Sequence, residues 1–530
     1  MKRTTLFSFI LGATILLLAK CTNSNSTQAP RAGQTTSVLQ PAGLPQDVAN
    51  TCTVTDSAFA AWFSDGKVTE NGFVNPANSV TFDHDNNCSF YRWSEQMFLW
   101  LTSNGKKYEG GGTVLESPVF YVVSPKLPDG TRELVPYKKG DHPDATANIT
   151  RINTEEGQAT DNVLLDKNGN IVYYITMVND VYAALLKMAG KDAASVSRFP
   201  VTSTGLDSIT TFAKQNKLTL LEPNALAMEL KSSWVKLTGD MKKEDFVTIT
   251  ADIPVIKKIS DKAWVVTEET KEGILALVGM HIVGSANGHP EMIWSTFEHK
   301  SCTPNAKYQY VNKDGKVVNM GPDNSGDWLL NQNPQDTSIT NTSYAKFSND
   351  TITAKGDVIK PSNTIRVLAW GSPYDATSNQ EDKTSADANS QVIAINNSVI
   401  NKLKGNDARK NYIFIGATWT AGGVKPNGHV YNPFVDGGTN LASGVAIGTS
   451  SLSNSTMETD FQLKQPEIKV GTNIVDPNNC FGCHGGKAPN MNPTENAVDQ
   501  FNNNLSHVFY PLMKGLPQSL KQPVKTKKNK

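Results

Sequence analysis

The chain has 530 residues, and its 50 Lys and Arg are matched by 50 Asp and Glu, so the formal net charge is zero. A balanced surface supplies no overall field that would draw nucleic acid or an anionic bilayer, and neither is expected as a partner. The length allows one large domain or several ordinary ones, and no fixed-period repeat marks a solenoid or propeller.

Met1-Lys2-Arg3 followed by the apolar run Leu6 to Ala19 has the layout of a secretory signal peptide, and residues 1–20 are read as one. The run is shorter than the roughly 20 apolar residues that span a bilayer, and no later segment is longer and as apolar. Leu18-Ala19-Lys20-Cys21 resembles a bacterial lipobox, in which the cysteine carries lipid; Lys20 stands where that pattern has Gly, Ala or Ser. Residues 21–50, rich in Ser, Thr, Asn, Gln, Ala and Pro, read as a disordered tether. The expected location is outside the cytoplasm, in the periplasm or cell envelope, with membrane attachment only through a lipid on Cys21.

Residues 51–455 read as a large, β-rich α+β body whose topology does not follow from the pattern. In an oxidising compartment Cys52 and Cys88 are expected to pair as a disulfide, which leaves Cys302 as a buried, inert thiol. Phe90, Trp93, Met97, Phe98 and Trp100 recur at helical spacing and predict a core-facing helix. β-branched and aromatic runs predict strands at Val163–Leu165 and Ile171–Met177 around the turn Asp166–Gly169, then at Phe246–Ile256, Trp264–Val266, Ile274–Ile282, Thr364–Trp370 and Tyr412–Trp419. A weaker hairpin joins Tyr308–Val311 to Val317-Val318. Further helices are predicted at Val181–Met188 and at Ser390–Leu403, with Ser390 as cap. Gly321–Pro361 and Ser372–Asn389 read as surface loops. Within Met292–His299, Glu298-His299 lies close to Cys302, with His281 and His289 upstream. No spacing there matches a ligand pattern such as H-E-x-x-H, and Trp294 and Phe297 point to packing.

Residues 456–515 hold the motif that carries chemistry. Cys480-Phe481-Gly482-Cys483-His484 reads C-x-x-C-H, the attachment signature of a c-type haem. Two thiols one tight turn apart can each form a thioether with a porphyrin vinyl group, and the next residue offers its imidazole to the iron as proximal ligand. A zinc site would need four ligands, usually as two separated pairs. A thioredoxin-like redox pair would need a βαβ setting, whereas loop-like Asp476–Asn479 and Gly485-Gly486 flank this one. One covalent haem c is the expected cofactor. For the sixth ligand the sequence offers His507, in Leu505–Phe509, ahead of Met513 and Met491; a body histidine (His281, His289 or His299) and an open position are the alternatives. A methionine raises the reduction potential and a second histidine leaves it lower. The segment is too thin to wrap a porphyrin alone, so the body is expected to complete its apolar walls. Residues 516–530, with five lysines and two prolines, read as a basic disordered tail.

Phe90–Trp93 with Met97–Trp100, Met292–His299, Ile413–Trp419, Ser453–Thr459, and Cys480–His484 followed by Leu505-Ser506-His507 resemble a set of exported bacterial cytochrome c family proteins, large and single-haem. The resemblance spans most of the chain after the signal peptide. It implies covalent haem at Cys480 and Cys483 with His484 as axial ligand, and it supports His507. Three functions compete. The first is a monohaem cytochrome that carries single electrons to a redox protein partner. The second is a haem-dependent oxidoreductase whose large body binds a substrate. The third is a haem-containing ligand-binding or sensor lipoprotein. The body is far larger than electron transfer requires, which keeps the question of enzymatic activity open. No Rossmann glycine fingerprint, Walker loop or nucleophile elbow indicates a second cofactor.

Overall fold

Strand-forming runs dominate the chain, and most of them join one sheet. The computed structural model describes residues 43–124, 127, 129–136, 162–191, 196, 198–333, 343–348, 350–371, 383–431, 441–458, 468–470, 473–475, 479–484 and 505–516. The expected signal peptide, Cys21, Met491 and the tail beyond Leu516 lie outside the described residues. The strands are β1 Phe120–Val123, β2 Leu134–Pro136, β3 Asn162–Val163, β4 Val172–Asn179, β5 Met228–Lys236, β6 Thr248–Ser260, β7 Ala263–Ala286 and β8 His289–His299. They continue with β9 Tyr308–Val311, β10 Val317–Met320, β11 Ala345–Ser348, β12 Thr351–Ala354, β13 Tyr412–Thr420, β14 Ala446–Gly448, β15 Ile468–Val470 and β16 Asn473–Val475. The helices are α1 Asp56–Trp62, α2 Asn87–Leu101, α3 Asp180–Lys191, α4 Ser203–Gln215, α5 Lys383–Ile400, α6 Cys480–His484 and α7 Phe509–Gly515.

Twelve strands form a curled antiparallel sheet with the path β14-β13-β8-β7-β5-β4-β1-β2, and the fold is α+β and β-rich. Residues 39–530 belong to one compact unit, so the C-x-x-C-H segment packs with the body. Strand β7 runs for 24 residues. Its first half pairs with β6 and its second with β5 and β8. The sequence pattern broke this strand in two because Glu269–Glu272 is charged. Those residues are exposed on an arm that hydrogen bonds to β6.

Other differences have equally local causes. Thr364–Trp370 forms no strand: Arg366 makes a single bridge to Asn305, and its side chain is committed to a buried ion pair with Glu298. The stretch 321–361 is more than surface loop, since Trp328, Leu329 and Leu330 are buried and β11 and β12 lie within it. Helix α5 starts seven residues before Ser390, whose hydroxyl donates to Ala386 O from inside the helix instead of capping it.

The pleat sorts side chains onto two faces. On the inner face, Met177, Leu230 and Ile282 are register partners, as are Met280, Phe297 and Phe414. Helix α2 lies against this face, started by Asn86, whose side chain accepts from Cys88 N. Phe98 stacks on Phe297 at 4.3 Å and Phe90 on Trp419 at 3.7 Å. Trp93 fills the space a side chain at Gly284 would take. Each of these buried aromatics contributes about 2–3 kcal/mol of apolar burial. A disulfide joins Cys52 to Cys88 in the first turn of α2, with a Cα separation of 5.3 Å. Cys302 is fully buried and its thiol donates to Val278 O; burial pushes its pKa well up.

On the outer face two register rows matter. One is Val178–Glu229–Val283–Trp294–Thr418, and the next is Thr176–Lys231–His281–Thr296. Helices α3, α4 and α7 share a core cluster with residues of the first row, and Phe481 and Leu505 belong to the same cluster.

Candidate functional site

The C-x-x-C-H pentapeptide forms the short helix α6. Asn479 starts it: its side chain accepts from Phe481 N at 2.8 Å and donates to Ser450 O at 2.7 Å. The flank that reads as loop therefore includes an Asn cap anchored to the body. Phe481 is buried against Trp294, with ring centroids 5.7 Å apart. Cys480 is half-buried and touches the clusters on both sides of the sheet; of Cys483 only the backbone is described.

His484 donates from Nδ1 to the backbone carbonyl of Leu505 at 2.7 Å. A carbonyl can only accept, so the proton sits on Nδ1 and Nε2 carries the lone pair. Burial holds this imidazole well below the usual histidine range, and the nearby His507, Lys231 and His281 act in the same direction. It is therefore neutral at pH 7, as a metal ligand must be. His507 is also held down, to about 4, first by burial and then by Lys231 and Arg132. Its Nε2 is buried without a hydrogen-bond partner. The two rings stack with centroids 3.9 Å apart and planes 12° from parallel. Trp294 lies 4.4 Å from His484 on the sheet side.

A polar clamp holds the strip that carries His507. Ser506 Oγ donates to Glu229 Oε2 at 2.5 Å, so the 2.7 Å contact with Tyr182 has the phenol donating to Ser506. Helix α7 continues the contact: Phe509 meets Tyr182 and Phe199, and Pro511 O accepts from Arg132 N. Gly190 of α3 allows Leu516 to approach where a Cβ would clash. Met513 lies half-buried at the margin of this cluster. Upstream, the block beginning at Ser453 is pinned to the sheet. Ser455 N and Oγ donate to the two oxygens of Glu298, and Asn454 donates to Thr296 Oγ1 and Phe297 O.

The remaining histidines divide clearly. His299 is fully buried with both ring nitrogens engaged, to Ser301 and to Asp245 O. His281 bonds Glu458 at 2.7 Å. Burial raises the Glu458 carboxyl, but His281, Lys231 and the Asn454 backbone together outweigh it and the net shift is downward. His289 bonds Glu291 through Nδ1 and His84 through Nε2.

The His484 side of this site offers donor chemistry a haem would use: an oriented, neutral imidazole beside an apolar wall of Phe481, Trp294 and Leu505. The distal side fits only after movement. Imidazoles on opposite faces of one iron hold their centroids roughly 6.4 Å apart, from metal–nitrogen bonds of about 2 Å. His507 must therefore withdraw from His484 by more than 2 Å. Among the described residues no three His, Cys, Asp or Glu side chains are grouped to hold a metal ion, and no helix is long and apolar enough to cross a membrane.

Sequence reasoning found the pentapeptide and its neighbour His507. It missed Ser506, Tyr182 and Glu229, which no spacing connects, and it read Trp294 only as packing. His84 gave no signal at all. No protein-family model, curated protein or solved structure matches this chain.

Proposed function

We propose that the chain is an exported c-type cytochrome that carries one haem covalently on Cys480 and Cys483 and passes single electrons to a redox protein partner. The observation that carries the reading is the C-x-x-C-H motif together with the Nδ1–Leu505 bond. That bond presents the adjacent imidazole in the tautomer an iron ligand needs. The haem, when bound, supplies a one-electron couple. The chain's residues do the rest. His484 Nε2 holds the iron, and His507 is the proposed sixth ligand, with Met513 and Met491 behind it. Phe481, Trp294, Leu505 and Phe509 exclude water, and the cations of Lys231 and Arg132 favour the reduced, less positive iron. Export, with a lipid on Cys21 as the only membrane attachment, belongs to the same proposal.

The test is to mature the protein in a host with cytochrome c assembly machinery. The expected product stays coloured after acid-acetone extraction, has the mass of the polypeptide plus one haem, and shows six-coordinate low-spin spectra that carbon monoxide does not alter. His507→Ala should then become high-spin and bind carbon monoxide. Colourless protein of bare polypeptide mass would remove the haem reading. A high-spin wild type would replace electron transfer by the haem-dependent oxidoreductase or the ligand-binding lipoprotein.

A further inference from the structure

A second imidazole pair lies apart from the C-x-x-C-H segment. His289, at the start of β8, and His84, in the loop before α2, face each other Nε2 to Nε2 at 3.0 Å across a sequence separation of 205 residues. His289 is 4% exposed. Its Nδ1 lies 2.8 Å from Glu291 Oε1, and Glu291 is 0% exposed. Thr420 N donates to the same carboxylate oxygen, the Thr420 hydroxyl donates to Val424 O, and Glu291 Oε2 is buried without a partner among the described residues. Phe82 stacks on His84, and Phe90 sets its edge or face against both imidazoles at 5.0 Å. Exposed Asp83 and Asp85 flank His84.

Two readings of that contact differ in geometry. In a collinear N–H···N bond of 3.0 Å the ring centroids would stand roughly 5.3 Å apart. Two imidazoles bound to one ion at about 2.0–2.1 Å, with the same nitrogen separation, subtend about 95° and hold their centroids roughly 4.7 Å apart. The observed separation is 4.6 Å, with planes 66° apart. The separation therefore matches the shared-ion arrangement more closely than the collinear bond. A carboxylate that takes Nδ1–H of one ring, as Glu291 does, is the usual outer partner of a metal-bound histidine.

The geometry points to His84 and His289 as a two-imidazole site for a borderline divalent transition ion of the Zn2+, Cu2+ or Ni2+ class, oriented by Glu291. Imidazole donors suit these ions and not Mg2+ or Ca2+. Among the described residues two protein ligands converge here, and Asp83 and Asp85 add negative charge beside the ion. The proposal does not depend on the haem.

Isothermal titration of the metal-stripped, folded protein with ZnCl2 tests it. One ion per chain is expected, with His84→Ala weakening it at least tenfold. His84 is half-buried in a loop, so that variant should keep the wild-type circular dichroism. Glu291→Gln keeps the ligands and should weaken binding by 10–100-fold. Cu2+ loaded into the same protein should show couplings to two nitrogens by electron paramagnetic resonance, and His84→Ala should lose one. Any ion held by the thiols of Cys480 and Cys483 would be unaffected by His84→Ala. Absence of binding below about 100 μM, or binding that His84→Ala leaves unchanged, would overturn the site.

Discussion

Among the described residues two histidine pairs stand out, built in opposite ways. His484 and His507 come from one short stretch at the carboxyl end and stack face to face at 3.9 Å. His84 and His289 are brought together by the sheet and meet nitrogen to nitrogen at 3.0 Å. In the first pair one nitrogen is pinned by a backbone carbonyl and another, His507 Nε2, has no partner. In the second a buried carboxylate orients the ring. Each pair keeps one buried nitrogen without a partner among the described residues, His507 Nε2 in the first and His84 Nδ1 in the second, so the carboxylate is what separates them: losing His289 strands the buried Glu291, whereas losing His507 strands no charge.

The stability of single variants would break or sharpen that contrast. His289→Ala leaves Glu291 buried without its ring partner and opens space beside Phe90. A loss of about 3 kcal/mol is expected, read from the urea midpoint at constant m-value. His507→Ala in the haem-free protein removes an imidazole that satisfies nothing at Nε2, and the expected loss is about 1 kcal/mol. Equal losses would show that the two pairs are held alike and would end the comparison.

His299 provides a third case, in which both nitrogens are bonded and the ring is sealed in. Burial holds it down to about 3, helped by Lys300 and opposed by the Asp245 carbonyl. The unfolded chain binds its proton near pH 6.5 while the folded chain refuses it, so this residue lowers stability progressively as pH falls from about 6.5 toward 3. At pH 5 the loss is about 2 kcal/mol. His299→Gln cannot titrate. The difference between urea midpoints at pH 7.5 and pH 5 should shrink by that amount in the variant, and an unchanged difference would refute the assignment.

These three settings were unequally legible in the sequence. C-x-x-C-H is local, so the motif can be recognised from five residues, and the β-rich class follows from β-branched runs such as Tyr412–Trp419. The aromatic spacing of Phe90 to Trp100 likewise gives α2, because one helix face repeats within the chain. Register is different. Which strand lies beside which decides that Val178, Glu229, Val283, Trp294 and Thr418 form one row, and hence that Glu229 meets Ser506 and Trp294 meets His484. Nothing local encodes those pairings, so the clamp and the His84–His289 contact were invisible. Arg366 shows the converse: a strand-like neighbourhood ends as a single bridge because its guanidinium pairs with Glu298 from a distant strand.

A further variant tests the clamp itself. Ser506 stands between Leu505, whose carbonyl holds His484, and His507. Its hydroxyl links Tyr182 on α3 to Glu229 on β5. Ser506→Ala removes that link but keeps the backbone and the apolar contacts of α7, so global stability should fall by only about 1–2 kcal/mol. The local effect should be larger than the global one. With the phenol and carboxylate no longer joined through Ser506, the Leu505–Leu516 strip opens without unfolding the sheet, and its amides should exchange faster while those of β5 and β7 do not change. In the haem-loaded protein the same loosening should broaden the ligand field of the iron. Uniform acceleration of exchange through both the strip and the sheet would mean that the strip is part of the body's cooperative core, held by Phe509 and Leu512 and not by the Ser506 hydroxyl.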